Sequence, residues 1–158
     1  MPKPKANRKA TVHTLPGGKG KRQGATAGIP IGKLLRNEGE IAVSLQRLGT
    51  MALTPQAAVR VVKGLKAVYH HCQAAQGERL KVLEEHCEKD ADGKPVFEDE
   101  AKTEYKIPPD RAAACTEALV AIESRAVPFP QIRVSEFGKG SEVTPEFVAR
   151  LDGIVVEG

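Results

Sequence analysis

Residues 54–93 read TPQAAVRVVKGLKAVYHHCQAAQGERLKVLEEHCEKDADG, and the reading of this stretch decides the fold. Thr54-Pro55 marks a helix start, because a threonine at the N-cap can accept a backbone N–H and a proline at the first helical position loses nothing by lacking one. From there Ala58, Val61, Leu65, Val68, Cys72, Ala75, Arg79, Val82 and His86 step by threes and fours, the spacing of one helical face. Val62, Tyr69 and Leu83 widen that row into the kind of stripe a helix buries. The stop is the acidic turn Glu88-Lys-Asp-Ala-Asp92-Gly93, where glycine can supply a positive φ. A helix from Thr54 to Asp92 would be on the order of 50 Å long. That exceeds what a small globule needs, so part of it is expected to pack on another chain. Gly64 and Gly77 each cost about 1 kcal/mol inside a helix, and predict a bend or a close helix crossing near either.

Upstream, Ile31, Leu35, Ile41, Ala42, Leu45 and Leu48 recur at helical spacing up to Gly49, which predicts a first amphipathic helix over 31–48 closed by a C′ glycine. It forms a helical hairpin with the long helix. Downstream the texture becomes that of strands. Pro95-Val-Phe97 and Glu104-Tyr-Lys-Ile107 flank the acidic link Glu98-Asp-Glu100 and predict a β-hairpin. Pro108-Pro109-Asp110 opens another helix, with Ala112, Cys115, Leu119, Ile122 and Ala126 on one face and Pro128 as its stop. Gln131 to Phe137 alternates as a strand does, Thr144-Pro145 repeats the start seen at Thr54, and Ile154-Val-Val156 closes the chain as a final strand or a docking tail. The fold class this predicts is α+β: a helical hairpin, a further helix and a small, mostly antiparallel sheet in one domain over 31–158.

Ahead of that domain lies an arm, residues 1–30, rich in Lys, Pro and Gly. Such a composition buries too little apolar surface to offset chain entropy, so alone in water it should be disordered. Its cations Lys3, Lys5, Arg8, Lys9, Lys19, Lys21 and Arg22 could meet phosphates by counterion release, lie down on a partner's surface, or merely solubilise. The net charge of +4 conceals this division: residues 1–37 carry nine Lys/Arg and no Asp/Glu, leaving 15 basic against 20 acidic residues in the rest. With no Trp, four Phe and two Tyr, the core must be aliphatic and a large aromatic-lined ligand pocket is not expected. Three cysteines without a CxxC pair fit a reducing compartment better than a disulfide framework. Neither an apolar leader core nor a run of about 18 apolar residues occurs, so neither secretion nor membrane spanning is expected.

Candidate chemistry fails on spacing. His70, His71 and Cys72 are adjacent and so splay about 100° apart on a helix, whereas a zinc pair needs i,i+4. His86 and Cys87 lie about 22 Å further along the same helix and cannot share their metal. Cys72, Cys87 and Cys115 lack the Gly-rich elbow and orienting group of a nucleophile. Glu88, Asp90, Asp92, Gly93 and Asp99 fall at positions 1, 3, 5, 6 and 12 of a calcium loop, but Pro95 occupies position 8 and an aspartate replaces the bidentate glutamate. A plain Asp-Gly turn accounts for the same residues. Gly17-Gly-Lys-Gly-Lys-Arg22 is not GxxxxGK[ST] and follows no strand. No catalytic residue, metal or cofactor is therefore expected. The residues expected to carry function by packing are Val61, Leu65, Val68 and Tyr69.

The order of elements carries a resemblance. A helix, a long helix running into Glu88-x-Asp-x-Asp-Gly-Lys-Pro95, the strand Glu104-Tyr-Lys-Ile107, a helix, Gln131-Ile-Arg-Val134 and Thr144-Pro-x-x-Val-x-x-Leu151 resemble small accessory proteins encoded among tailed-bacteriophage virion genes. The resemblance spans roughly residues 33–156 and implies a non-enzymatic structural role at the capsid surface, the head–tail junction or the tail. Its implied partners are major capsid or tail proteins, with self-association and several copies per particle, and its implied location is the virion, assembled in the host cytoplasm. A nucleic-acid-binding accessory protein acting through the arm is the alternative. The arm has no aromatic residue to stack bases, so such binding would contact the backbone alone.

Overall fold

A computed structural model describes residues 25–158, and the arm cations from Lys3 to Arg22 lie outside the described residues. The fold is α+β, as the pattern predicts; among the described residues it has five α-helices, one of them long, and a small antiparallel sheet. In chain order the elements are β1 (Thr26–Pro30), α1 (Ile31–Leu35), α2 (Ile41–Thr50), α3 (Pro55–His86), α4 (Pro109–Glu123), β2 (Ala126–Pro130), β3 (Ile132–Arg133), α5 (Pro145–Arg150) and β4 (Val155–Val156).

Strand β1 shifts the boundary of the arm. Thr26–Pro30, expected to belong to it, pairs antiparallel with β2 over its whole length, and Ile29 is a core residue. Strand β2 was itself hidden, because Pro128 reads as a helix stop. Alternation reconciles prolines with a strand. The odd-numbered residues carry the ladder, continued at both ends by Ile31 N–H to Arg125 O (2.8 Å) and Gln131 N–H to Ala25 O (2.9 Å). Pro30, Pro128 and Pro130 all fall on the even set, whose backbone N–H positions point away from the partner strand, so the missing donors cost the ladder nothing. The odd set also supplies the inward face, with Ile29, Val127 and Phe129 buried.

The helix expected over 31–48 is broken into α1 and α2. Asn37, Gly39 and Glu40 all have positive φ (49°, 60° and 56°), and left-handed residues cannot propagate a right-handed helix. Asn37 then caps the new start, its Oδ1 accepting the Ala42 N–H at 2.9 Å. Gly49, expected as the C′ residue, lies inside α2, and a Cβ there would stand 2.8 Å from Leu65 Cδ1. It marks the α2–α3 crossing.

Helix α3 starts as its sequence dictates, with Thr54 Oγ1 accepting the Ala57 N–H at 3.4 Å. It ends at His86 rather than Asp92, because the backbone of Glu88 is taken up by strand-like partners. Glu88 N–H donates to Lys106 O, Lys106 N–H to Val96 O and Val96 N–H to Glu88 O, at 2.8, 2.9 and 2.8 Å. The expected hairpin is thus reduced to bridges, Lys89 with Pro95 and Phe97 with Tyr105, and it gains a third segment. Cys87 is sealed beneath it with no exposed surface.

The last expected strand, Gln131 to Phe137, is cut to β3 by a 3-10 turn at Val134–Glu136. Strand β4 pairs with β3 in parallel, Ile132 with Val155 and Arg133 with Val156, so the closing segment is a strand inside the domain. Thr144 caps α5 by accepting the Phe147 N–H at 3.2 Å. One core joins these pieces: Leu45 and Leu48 from α2, Val61 from α3, Ile122 from α4, Phe129 from β2, and Ile132, Leu151 and Ile154 from the C-terminal segment.

Candidate interaction surface

Helix α3 has two faces with different fates. On the inner face Ala57, Val61, Gly64 and Ala75 are buried, and Leu65, Val68, Cys72 and Val82 pack half-buried against the core. Of the four packing residues expected to serve as an interface, Val61, Leu65 and Val68 are therefore spent inside their own chain. Tyr69 alone faces out, 59% exposed. It belongs to a second row that the sequence reading merged with the first: Val59, Val62, Tyr69 and Leu80 are 49–59% exposed. Val62, Tyr69 and Leu80 are 7 and 11 residues apart, close to two and three whole turns, so they stand above one another on one side of the helix. The signal was present, because Val62 and Tyr69 follow Val61 and Val68 by one residue and must point about 100° away.

Polar neighbours hold this outer row in place. Gln73 Nε2 donates to Tyr69 Oη at 2.6 Å, one turn along, and the His70 ring stands edge-on to the Tyr69 ring at 5.7 Å. Gln76, Arg79, Leu80 and Leu83 line a shallow groove at the C-terminal end of the row.

The helix is clamped by three ion-pair groups. Arg60 Nη2 donates to both oxygens of Glu136 at 2.7 Å, and the Arg133 N–H donates to the same carboxylate at 3.0 Å. Desolvation pushes the Glu136 pKa up, but the hydrogen bonds from Arg60 and Arg133 outweigh it and the net direction is down. The carboxylate is accordingly kept charged, as a structural brace should be. Further along, Arg79 approaches Glu123 at 3.4 Å, and Arg36 of the segment after α1 bonds to the same carboxylate. Arg125 forks onto Glu78 at 2.8 and 2.9 Å. These contacts fix which face of α3 remains outward.

The residues first suspected of chemistry are placed apart or used up. His70 and His71 are exposed and Cys72 is half-buried beside them, while His86 Nδ1 lies 2.8 Å from Val82 O. All three cysteines are free, and burial pushes the Cys72 and Cys115 thiols up, away from the reactive thiolate. Two of the calcium-like carboxylates, Asp90 and Asp99, cap backbone amides instead. Asp90 Oδ1 accepts the Asp92 and Lys94 N–H groups at 2.9 Å. Asp99 accepts the Thr103 hydroxyl at 2.6 Å and the Glu104 N–H at 2.8 Å, bonds that hold its pKa below the usual carboxylate value. Among the described residues no group of three His, Cys, Asp or Glu side chains is placed to hold a metal, and no helix is long and apolar enough to cross a membrane. No family model, curated protein or solved structure matches the chain.

Proposed function

We propose that this chain is a non-enzymatic structural protein of tailed-bacteriophage virions, assembled in the host cytoplasm and present in several copies, which binds and stabilises capsid or tail proteins. The observation that carries the reading is the outer row of α3, where large apolar side chains stand about half exposed on a helix whose other face is already packed. Such a row gains free energy by being covered, and its use is association rather than chemistry. The resemblance of its element order to that of virion accessory proteins supports the reading. So does the charge division, a basic segment ahead of an acidic remainder, which suits an arm that clasps a second surface while the body stays off it. In this role Lys3, Lys5, Arg8, Lys9, Lys19, Lys21 and Arg22 meet acidic protein, and neither cofactor nor membrane is required.

The test is removal of the arm alone. The cut must stop at residue 24, because Thr26–Pro30 is a strand of the body and Ile29 a core residue. Particles assembled with the chain lacking residues 2–24 should contain less than a tenth of the normal amount of it, with unchanged thermal unfolding of the truncated chain and little change in its affinity for duplex DNA or RNA. Normal incorporation together with lost nucleic-acid binding would overturn this reading in favour of a nucleic-acid-binding accessory protein.

A further inference from the structure

We infer that the outer face of α3 is covered by α3 of a second copy of this chain, the two helices running antiparallel. The inference rests on the assembly role above and gives it a division of labour, in which the helix makes the pair and the arm meets the particle.

The first observation is the spacing. From Val59 to Leu83, positions 59, 62, 66, 69, 73, 76, 80 and 83 advance by alternating threes and fours, four copies of a seven-residue spacing in which Val59, Val62, Tyr69 and Leu80 are exposed and Leu83 is half-buried. A period of 3.5 keeps one seam of a helix facing a partner helix. The row is apolar at both ends and polar in the middle, where Lys66, Gln73 and Gln76 take seam positions.

The second observation is what this distribution does when two copies meet. Antiparallel alignment about the middle of the row sets Val59 against Leu83 of the second copy and Val62 against its Leu80. Each apolar end thereby finds an apolar end, twice over. The central layers become Tyr69 against Gln73 and Lys66 against Gln76, polar groups that can hydrogen-bond. Parallel alignment would instead set Lys66 upon Lys66, a like-charge contact at a seam position.

Charge points the same way. The outward charges of the N-terminal half are Lys63 and Lys66, and those of the C-terminal half are Lys81, Glu84 and Glu85, all exposed. Antiparallel pairing places the net positive half over the net negative half at both ends. Parallel pairing places like over like.

Sedimentation velocity of the full chain over a micromolar range tests this, with thermal unfolding as the control on folding. The wild-type chain should sediment as a dimer at tens of micromolar. Val62→Glu/Leu80→Glu sets two carboxylates on each other in the antiparallel register and should weaken association at least tenfold. Val62→Glu/Leu80→Lys carries the same number of inserted charges but pairs Glu with Lys across the antiparallel seam, and should associate at least tenfold more tightly than the first variant. In a parallel pair that swap would repel as strongly as the double glutamate. Both sites are half exposed, so melting temperatures should stay close to wild type. A wild-type monomer, or two variants equally dissociated, would overturn the inference. A chain that is monomeric yet found in particles would refute the helix pair and leave the virion role standing.

Discussion

Replacing Phe129 by alanine is expected to lower the stability of the domain by about 3–5 kcal/mol, the range for emptying a fully buried aromatic site. Phe129 has no exposed surface. Its position explains why the loss should fall at the upper end: the ring lies against α3 at Gly64, while its backbone pairs with Ala27 in the neighbouring strand. It thus fills the space between the long helix and the sheet, and both are rigid elements that close poorly over a cavity. A loss of this size is a large part of the 5–15 kcal/mol that holds an ordinary domain together. Urea unfolding should show a strongly reduced midpoint with an unchanged slope. A change below about 1 kcal/mol would mean that α3 does not rest on β2 as described.

The second large effect is a sign that helix propensity alone gets wrong. Alanine for glycine in a helix interior normally gains up to about 1 kcal/mol, and α3 contains two such glycines. At Gly64 a Cβ would stand 2.7 Å from Phe129 Cε2, 2.8 Å from Pro130 Cδ and 2.9 Å from Phe129 Cδ2. Those atoms belong to rings anchored in β2, so the clash cannot be relieved by turning a flexible chain end. Overpacking of this kind costs about 1–3 kcal/mol, and Gly64→Ala should be destabilising on balance. At Gly77 an added Cβ meets nothing within 4 Å, and Gly77→Ala should stabilise by about 0.5–1 kcal/mol. Parallel thermal melts decide the matter, and stabilisation by both substitutions would contradict the close crossing at Gly64.

These two glycines also measure how far the sequence can be read. Both were expected to mark a bend or a crossing, and only the partner segment decides which does. Thr54-Pro55 and Thr144-Pro145 announced their helices because capping is local chemistry, contained in a few adjacent residues. Strand β2 was illegible for the opposite reason. Its partner β1 lies about a hundred residues earlier, and its prolines are tolerable only through a register that the partner sets. The break at Asn37–Glu40 was written in Asn37 and Gly39, yet the apolar spacing on either side ran through it.

The candidate surface was half legible. Tyr69 was singled out from the sequence and does face outward. Val61, Leu65 and Val68 were grouped with it, because a helix with apolar residues at both 61 and 62, and again at 68 and 69, carries two rows that period alone cannot tell apart. Packing chose between them: β2, α4 and α2 take the inner row, leaving Val59, Val62, Tyr69 and Leu80 outside. The functional consequence is a change of surface. Substitutions on the inner row should unfold the chain, whereas those on the outer row should separate it from whatever covers it.

The virion role itself is tested most directly by quantitative mass spectrometry of particles purified by density from cells that carry the gene. The chain should band with the capsid and tail proteins, in many copies per particle and at a fixed ratio to them across the gradient. Its confinement to the unassembled fraction of the lysate, with none in the particle band, would contradict a structural role in the virion.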